Sequence, residues 1–378
     1  MKILHVVPCV ASGADGVSYC VPGLCEGLAD AGCEVELHTL ESSLPPHRPF
    51  KVVTSPRKSF PRSLGRSPEM YRKLREACAT ADIVHGNSLW MMPNIYPWRA
   101  ARGTRCKFVL QPHGTLAPWA LRRSRWKKLA AGIIGQFAAM RAADMWVATS
   151  DSEYSDIRAR GFRKPAAVLP IGIDVPGLPP AREPGSRRRM FFLGRIHPVK
   201  NIETLLRCWA RLENRYPDWD LSIAGPCEAN PYADRMRSLA AELGCRRVAF
   251  EGEIKGDAKF RFMAGSDCLA FPSHTENFAM SVAEALACGV PAICSRGTPW
   301  SGLAANECGW WVSADEDRFL AAMEEAMSAP RERLAEMGAR GREWMKRDFS
   351  WKSIASQMKQ AYAWLLGRGD KPSCVRED

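Results

Sequence analysis

The amino-acid sequence predicts an α/β protein built from two Rossmann-like halves, on three observations. Short apolar runs alternate with helical patterns along nearly the whole chain. The alternation breaks once, at residues 175–189, where a stretch rich in Pro, Gly and Arg reads as a linker. With 378 residues and 46% hydrophobic content, the chain can build a core on each side of that break.

The first half, residues 1–174, opens with an apolar run, Ile3 to Val7, that Pro8 ends too early for a secretory leader, so it reads as a buried strand. A helix from Val17 to Ala31 follows, then strands at Glu34 to Thr39, Ile83 to His85, Lys107 to Gln111 and Met145 to Thr149. Ser150-Asp-Ser152 caps the next helix, and Val168 to Asp174 closes the half. In the second half, residues 190–350, apolar runs at Met190 to Gly194, Leu221 to Gly225, Val248 to Phe250, Cys268 to Phe271 and Pro291 to Cys294 read as strands. Helices are expected at Ile202 to Leu212, Met280 to Ala287 and Arg318 to Met327. A final helix, 351–366, carries apolar residues at Ile354, Met358, Ala361, Tyr362 and Leu365, ahead of a tail at 367–378.

Composition narrows the function. No window approaches the roughly 18 uninterrupted apolar residues of a membrane span, so the expected address is the cytoplasm. The fourteen cysteines are scattered singly without a Cys-x-x-Cys pair, and Cys20 and Cys25 fit a reduced helix interior better than a metal site. The net charge of +12 is lopsided: residues 1–165 hold 24 Lys and Arg against 13 Asp and Glu. A basic half beside a nearly neutral one implies an anionic partner, whether acidic lipid headgroups, a diphosphate-bearing acceptor or nucleic acid. No nucleic-acid-binding motif accompanies the charge. The absence of Gly-x-Gly-x-x-Gly argues against a dinucleotide-dependent dehydrogenase.

The most informative stretch runs from His274 to Pro291 and sets Glu276 and Glu284 eight positions apart across a helix start. Glu276 falls in the strand-to-helix loop. Backbone N–H groups of Phe278, Ala279, Met280 and Ser281 would be the unpaired donors of that helix end, which with the dipole attract a phosphate. Ionised carboxylates are pure acceptors, suited to bridging vicinal sugar hydroxyls beside a bound pyrophosphate. The plain alternative is an N-terminal charge offsetting the dipole and a solvated glutamate.

Two cations are expected nearby. Gly194-Arg195-Ile-His-Pro-Val-Lys200 links a strand to a helix, so Arg195 can grip phosphate oxygens bidentately while Lys200 adds a compact second charge. His85, His113, His197 and His274 lie in or just after strands, where α/β domains build sites. Ser12-Gly-Ala-Asp-Gly16 forms a turn between the first strand and helix, where glycines admit close backbone approach. Asp315-Glu-Asp317 opens a helix, where acidic residues serve the dipole rather than a metal.

The Glu276-x7-Glu284 pair followed by Ala-Leu-Ala-Cys-Gly-Val-Pro291 resembles the signature of retaining glycosyltransferase family 4. The Arg195 loop and Gln111-Pro-His113-Gly-Thr-Leu-Ala-Pro-Trp-Ala-Leu121 resemble further segments of that family, and the resemblance covers nearly the whole chain. It implies the GT-B fold, two Rossmann-like domains facing a central cleft, with the C-terminal helix crossing back to the first domain. The implied activity moves a hexose from a UDP- or GDP-sugar to a saccharide or polyprenyl-diphosphate-linked acceptor with retained configuration, without metal or cofactor. By the same resemblance, Glu276, His113, Arg195 and Lys200 carry the chemistry, and Gly16, Gly194, Gly225, Ile254, Asn277, Phe278, Ala279, Met280, Ser281 and Glu284 hold the donor. Ala279 departs from the glycine often found there. His85 and Trp90, in His-Gly-Asn-Ser-Leu-Trp90, fall on the acceptor side, a structural role for His85 being the alternative.

Gly297-Thr-Pro-Trp300 and Cys308-Gly-Trp-Trp311 resemble a branch used for bacterial surface polysaccharides, including lipopolysaccharide. A nucleotide-sugar epimerase of the same architecture and a noncatalytic membrane-associated scaffold are the competing readings. The segment Trp119 to Ile134 carries five cations, two tryptophans and no acid, which implies peripheral binding to the anionic inner face of the cell membrane.

Overall fold

The computed structural model describes residues 1–10, 16–58, 64–122, 124–177, 187–227 and 230–377. These fall into two units, Met1–Gly172 with Trp351–Asp378, and Ile173–Ser350. Ser12 to Asp15 of the glycine turn, residues 178–186 of the linker and Arg123 lie outside the described residues.

The strands of the first unit are β1 (Lys2–Val6), β2 (Glu34–Thr39), β3 (Lys51–Thr54), β4 (Ile83–Asn87), β5 (Lys107–Gln111), β6 (Met145–Ala148) and β7 (Ala166–Val168). Those of the second are β8 (Arg188–Leu193), β9 (Trp219–Ala224), β10 (Val248–Gly252), β11 (Cys268–Phe271), β12 (Ala292–Ser295) and β13 (Gly309–Val312). β14 (Val375–Arg376) returns to the first sheet.

Both sheets follow one wiring rule. The first runs β14-β7-β6-β5-β4-β1-β2-β3 and the second β10-β9-β8-β11-β12-β13, parallel throughout except where β14 meets β7. Each sheet therefore reverses direction of growth once, between β1 and β4 and between β8 and β11. At such a switch point the connecting loops diverge, leaving room for a ligand at the carboxyl ends of the strands. The continuous apolar runs are explained by burial on both faces, and β1, β4, β11 and β12 are almost wholly buried.

The helix Ile202–Leu212 matches its expected bounds, since its buried residues Ile202, Leu205, Leu206, Trp209 and Leu212 recur at helical spacing. Ser150 caps the helix Asp151–Ala159 by accepting the Glu153 N–H at 3.2 Å, and Asp315 caps Glu316–Ser328 through the Arg318 N–H at 3.0 Å.

Two expectations need correction. The linker reading extended to Arg189, yet β8 begins at Arg188. The Arg188 guanidinium lies 4.2 Å from the Trp219 ring centroid and donates to the Ala329 carbonyl at 2.8 Å, so a residue read as solvated is packed. The tail 367–378 also contains a strand, with Val375 and Arg376 paired antiparallel to Ala167 and Ala166.

The C-terminal helix, Trp351–Leu365, packs on the first unit against the helix Gly16–Asp30. Contact is close because Gly23, Gly27 and Gly172 leave no room for a side chain: a Cβ at Gly23 or Gly172 would overlap the Trp351 indole.

Candidate functional site

The switch point of the second sheet gathers most of the expected donor residues. Gly194 to Asn201 leaves β8, and Pro272 to Ala279 leaves β11. The two loops are stitched together. The His274 N–H donates to the Val199 carbonyl at 2.8 Å, the Ser273 hydroxyl donates to the same carbonyl at 2.9 Å, and the Asn201 amide donates to the Pro272 carbonyl at 3.3 Å. The Glu276 N–H donates to the Gly297 carbonyl at 2.8 Å. Glu276 is thereby fixed through its own backbone before any ligand arrives.

Lys200 and Glu276 meet directly. Lys200 Nζ is 2.6 Å from Glu276 Oε1, with side chains 10% and 12% exposed, and the Ser273 hydroxyl donates to the same oxygen. A pair this enclosed holds the carboxylate in one orientation, and removing either partner would leave an uncompensated charge. Arg195 is exposed and has no ion-pair partner among the described residues. It stands as an uncommitted cation on the loop whose lysine is already paired.

Glu284 points to a residue that the sequence did not reveal. Its carboxylate is 7% exposed and accepts from Lys259 Nζ at 2.6 Å, a lysine on the helix Gly256–Ala264. Burial pushes the Glu284 carboxyl above its ordinary range, against the pull of Lys259. Each expected glutamate thus has its own lysine.

The helix Met280–Ala287 begins at Ala279, whose side chain cannot cap it, so its first N–H groups face outward without a side-chain acceptor. Phe278 and the Gly297-Thr-Pro-Trp300 segment support this end: Trp300 Nε1 donates to the Phe278 carbonyl at 2.6 Å, and the Trp300 ring stacks on Phe349 at 5.3 Å. Asn277 and Ser281 are half-buried beside it. Ala279 adopts φ 65°, ψ 70°, a left-handed conformation that costs a residue with a Cβ about 1–2 kcal/mol. Ala279→Gly should therefore raise stability by about 1 kcal/mol, read by denaturant unfolding. An unchanged midpoint would refute strain at this position.

Gly225 follows β9, donates its N–H to the Gly252 carbonyl at 2.7 Å, and lies so close to the Gly194 carbonyl that a Cβ would overlap it. Ile254 is half-buried in the loop after β10. His197 caps the turn Pro198–Lys200 through the Val199 N–H, and His274 is exposed.

In the first unit, His113 is half-buried after β5 with φ 53°. Its Nε2 lies 3.1 Å from Asn87 Oδ1 at the end of β4, so in the neutral ring Nε2 carries the proton and Nδ1 accepts from Cys20, 3.8 Å away. The next residue is held by Glu153, a second group that sequence reasoning missed. Its buried carboxylate accepts from the Gly114 N–H at 2.5 Å, the Thr149 N–H at 2.7 Å and the Thr149 hydroxyl at 2.8 Å, tying the His113 loop to the start of a helix. The only sequence signal was Ser150-x-x-Glu153, a capping pattern.

His85 is corrected. It is fully buried, its Nδ1 is 2.6 Å from the Tyr362 hydroxyl, and burial, with smaller pushes from His5 and His113, lowers its pKa. His5, 4.8 Å away ring to ring, is held down at about 3 for the same first reason. His85 therefore serves the seating of the C-terminal helix. Trp90 is half-buried with φ 81°, and its backbone N–H donates to Gln136 Oε1 at 3.0 Å. Gly16 opens the first helix, and among the described residues nothing lies within 4 Å of where its Cβ would stand.

The family model for Glycosyltransferase Family 4 matches residues 14–175, and that for Glycosyl transferases group 1 matches residues 179–344. The chain belongs to the glycosyltransferases of GT-B fold. Sucrose-phosphate synthase from Thermosynechococcus elongatus shares the fold, with a TM-score of 0.75 at 22% identity over 97% of this chain and 100% of that one. Among curated relatives, the D-rhamnosyltransferase WbpZ of Pseudomonas aeruginosa is 28% identical over 78% of each chain. The GDP-mannose-dependent alpha-(1-6)-phosphatidylinositol monomannoside mannosyltransferase of Mycolicibacterium smegmatis is 29% identical over 57% of this chain and 62% of its own. The match thus spans under two thirds of that mannosyltransferase. Among the described residues, no group of three His, Cys, Asp or Glu side chains could hold a metal ion, and no helix is long and apolar enough to cross a membrane.

Proposed function

We propose that this glycosyltransferase moves a hexose from a UDP- or GDP-sugar to a saccharide acceptor carried on a polyprenyl diphosphate, with retained anomeric configuration, in bacterial surface-polysaccharide synthesis. The observation that carries the reading is the paired and oriented Glu276 between the exposed Arg195 and a helix start without a side-chain cap. Negative charge grows on the departing diphosphate, and preset N–H groups with a nearby guanidinium stabilise it without reorganising. Lys200 orients Glu276 so that it accepts from sugar hydroxyls, Lys259 orients Glu284 toward the ribose, and Ile254 contacts the base. In the first unit, Asn87 sets the His113 ring and Glu153 holds its loop.

Membrane attachment is part of the proposal. The large apolar side chains that the described residues expose, Trp119, Trp126, Leu129, Ile133 and Ile134, all fall within sixteen residues, between Arg122, Arg125, Lys127 and Lys128. Trp126 is 83% and Ile133 76% exposed, an arrangement suited to the anionic inner face of the cell membrane.

Screening UDP-, GDP- and ADP-sugars for thermal stabilisation should identify one donor series, since a ligand at a hundred times its dissociation constant adds about 2.7 kcal/mol. Transfer from that donor should persist in EDTA and give a product of retained configuration by proton coupling constants. Inversion at the anomeric carbon, or conversion of donor without acceptor, would overturn the reading.

A further inference from the structure

Beside the exposed apolar segment, the first unit contains a cavity of about 490 Å³, within the roughly 300–1,000 Å³ of small-molecule sites. Its walls are apolar, formed by Leu116, Leu121, Leu129, Phe137, Met140 and Phe162. Arg125, Lys128, Arg141 and Arg160 also line it, and among the described residues no carboxylate does. Arg125 and Arg141 have no ion-pair partner among the described residues.

The wall is shaped by an irregularity in the backbone. Residues Gly132–Gln136 form a π-turn inside the helical run, with Gly135 at φ 154°. Such turns recur at functional positions because the extra residue re-aims the side chains around it. Gly132 packs under the Phe137 ring, where a Cβ would overlap it, and Arg99 donates to the Ile134 carbonyl at 2.8 Å. Ile133 and Ile134 are consequently turned outward while Phe137 lines the cavity.

An uncharged hydrocarbon would leave Arg125 and Arg141 unused, and a free phosphate would leave the apolar walls unused. We propose that this cavity binds one hydrocarbon chain of a phosphorylated lipid, with Arg125 and Arg141 on its phosphate and Lys128 and Arg160 completing the rim. The inference deepens the lipid-linked acceptor reading and rests on it. The chain's phosphate-bearing end would then be fixed by the protein itself and not by the surrounding bilayer.

Farnesyl phosphate, used below its micelle concentration, is the probe, followed by tryptophan fluorescence and by thermal shift, with farnesol and inorganic phosphate as controls. Farnesyl phosphate should bind at least about tenfold more tightly than either control. Leu121→Trp, which fills the cavity, and the double variant Arg125→Ser with Arg141→Ser, which leaves the walls intact, should each weaken it about tenfold. Leu121→Trp should leave sedimentation with anionic phosphatidylglycerol vesicles unchanged, which separates the cavity from general attraction to a charged surface. Equal affinity for farnesyl phosphate and free phosphate, or full affinity in both variants, would overturn the proposal. A cavity that fails while sugar transfer to a soluble saccharide survives sinks this inference alone. Intact farnesyl phosphate binding without transfer sinks the transferase reading instead.

Discussion

Glu276→Gln is expected to lower sugar transfer by about a hundredfold or more, because a reacting sugar misplaced by about 1 Å loses that much. Gln keeps the volume and an oxygen for the Ser273 hydroxyl and Lys200 Nζ but removes the charge that Lys200 faces, so the thermal midpoint should fall while the protein still folds, and transfer is read at a temperature well below it. Glu276→Ala is a poorer test. It would remove the oxygen that Lys200 and Ser273 both contact as well as the charge, and so mix lost chemistry with a larger loss of stability. Arg195→Ala provides the matching measurement: the exposed guanidinium supports no ion pair in the fold, and losing its hold on the diphosphate should cost about 2–4 kcal/mol in the barrier. Transfer within a few-fold of the parent by either Glu276→Gln or Arg195→Ala would remove that residue from the chemistry.

Gly225→Ala should be among the more damaging single methyls in the second unit. The added Cβ would overlap the Gly194 carbonyl, and backbone cannot rotate away as a side chain can. Overpacking of this kind costs about 1–3 kcal/mol or more, and the strain falls on the loop that presents Arg195 and Lys200. A lowered unfolding midpoint together with lost donor-induced stabilisation is the expected result. Gly177→Ala is the control, since among the described residues nothing lies within 4 Å of its would-be Cβ. Equal behaviour of the two variants would show that close approach at Gly225 is not what fixes the loop.

The placement of Glu276, Glu284 and the Arg195 loop was legible because it is local, with spacing across a strand, a loop and a helix start containing most of the geometry. The lysine partner of Glu284 was not, since Lys259 lies 25 positions upstream on another helix and nothing in its own neighbourhood marks it. Glu153 and Tyr362 were hidden for the same reason, acting on Gly114 and His85 across 39 and 277 positions. His85 shows the converse hazard. A histidine at a strand end reads as a site residue until the sequence-distant helix that covers it is known.

Among regular elements, the fully buried strands were readable, whereas β3 was not, because its Lys51 and Thr54 are exposed and its run is four residues long. The helix Pro68–Cys78 carries a plain start signal in Ser67-Pro-Glu69, with Ser67 accepting the Met70 N–H at 3.2 Å. Its exposed, strongly charged outer face masked the buried stripe of Met70, Leu74 and Cys78.

The first unit is assembled from the two extremes of the chain, and this orders events during synthesis. Residues 1–172 emerge from the ribosome early, yet the helix Trp351–Leu365 and β14 are made only after the whole second unit. The second unit can close as soon as residue 350 is free, and domains generally fold as they appear. Until then, the first unit waits with His85 lacking its tyrosine, β7 lacking its outer neighbour and the indole slot of Gly23 and Gly172 empty. Maturation of the half that carries His113 and the basic apolar segment is thereby deferred until the second unit has been made, so a ribosome that stalls in the second unit releases no finished first one.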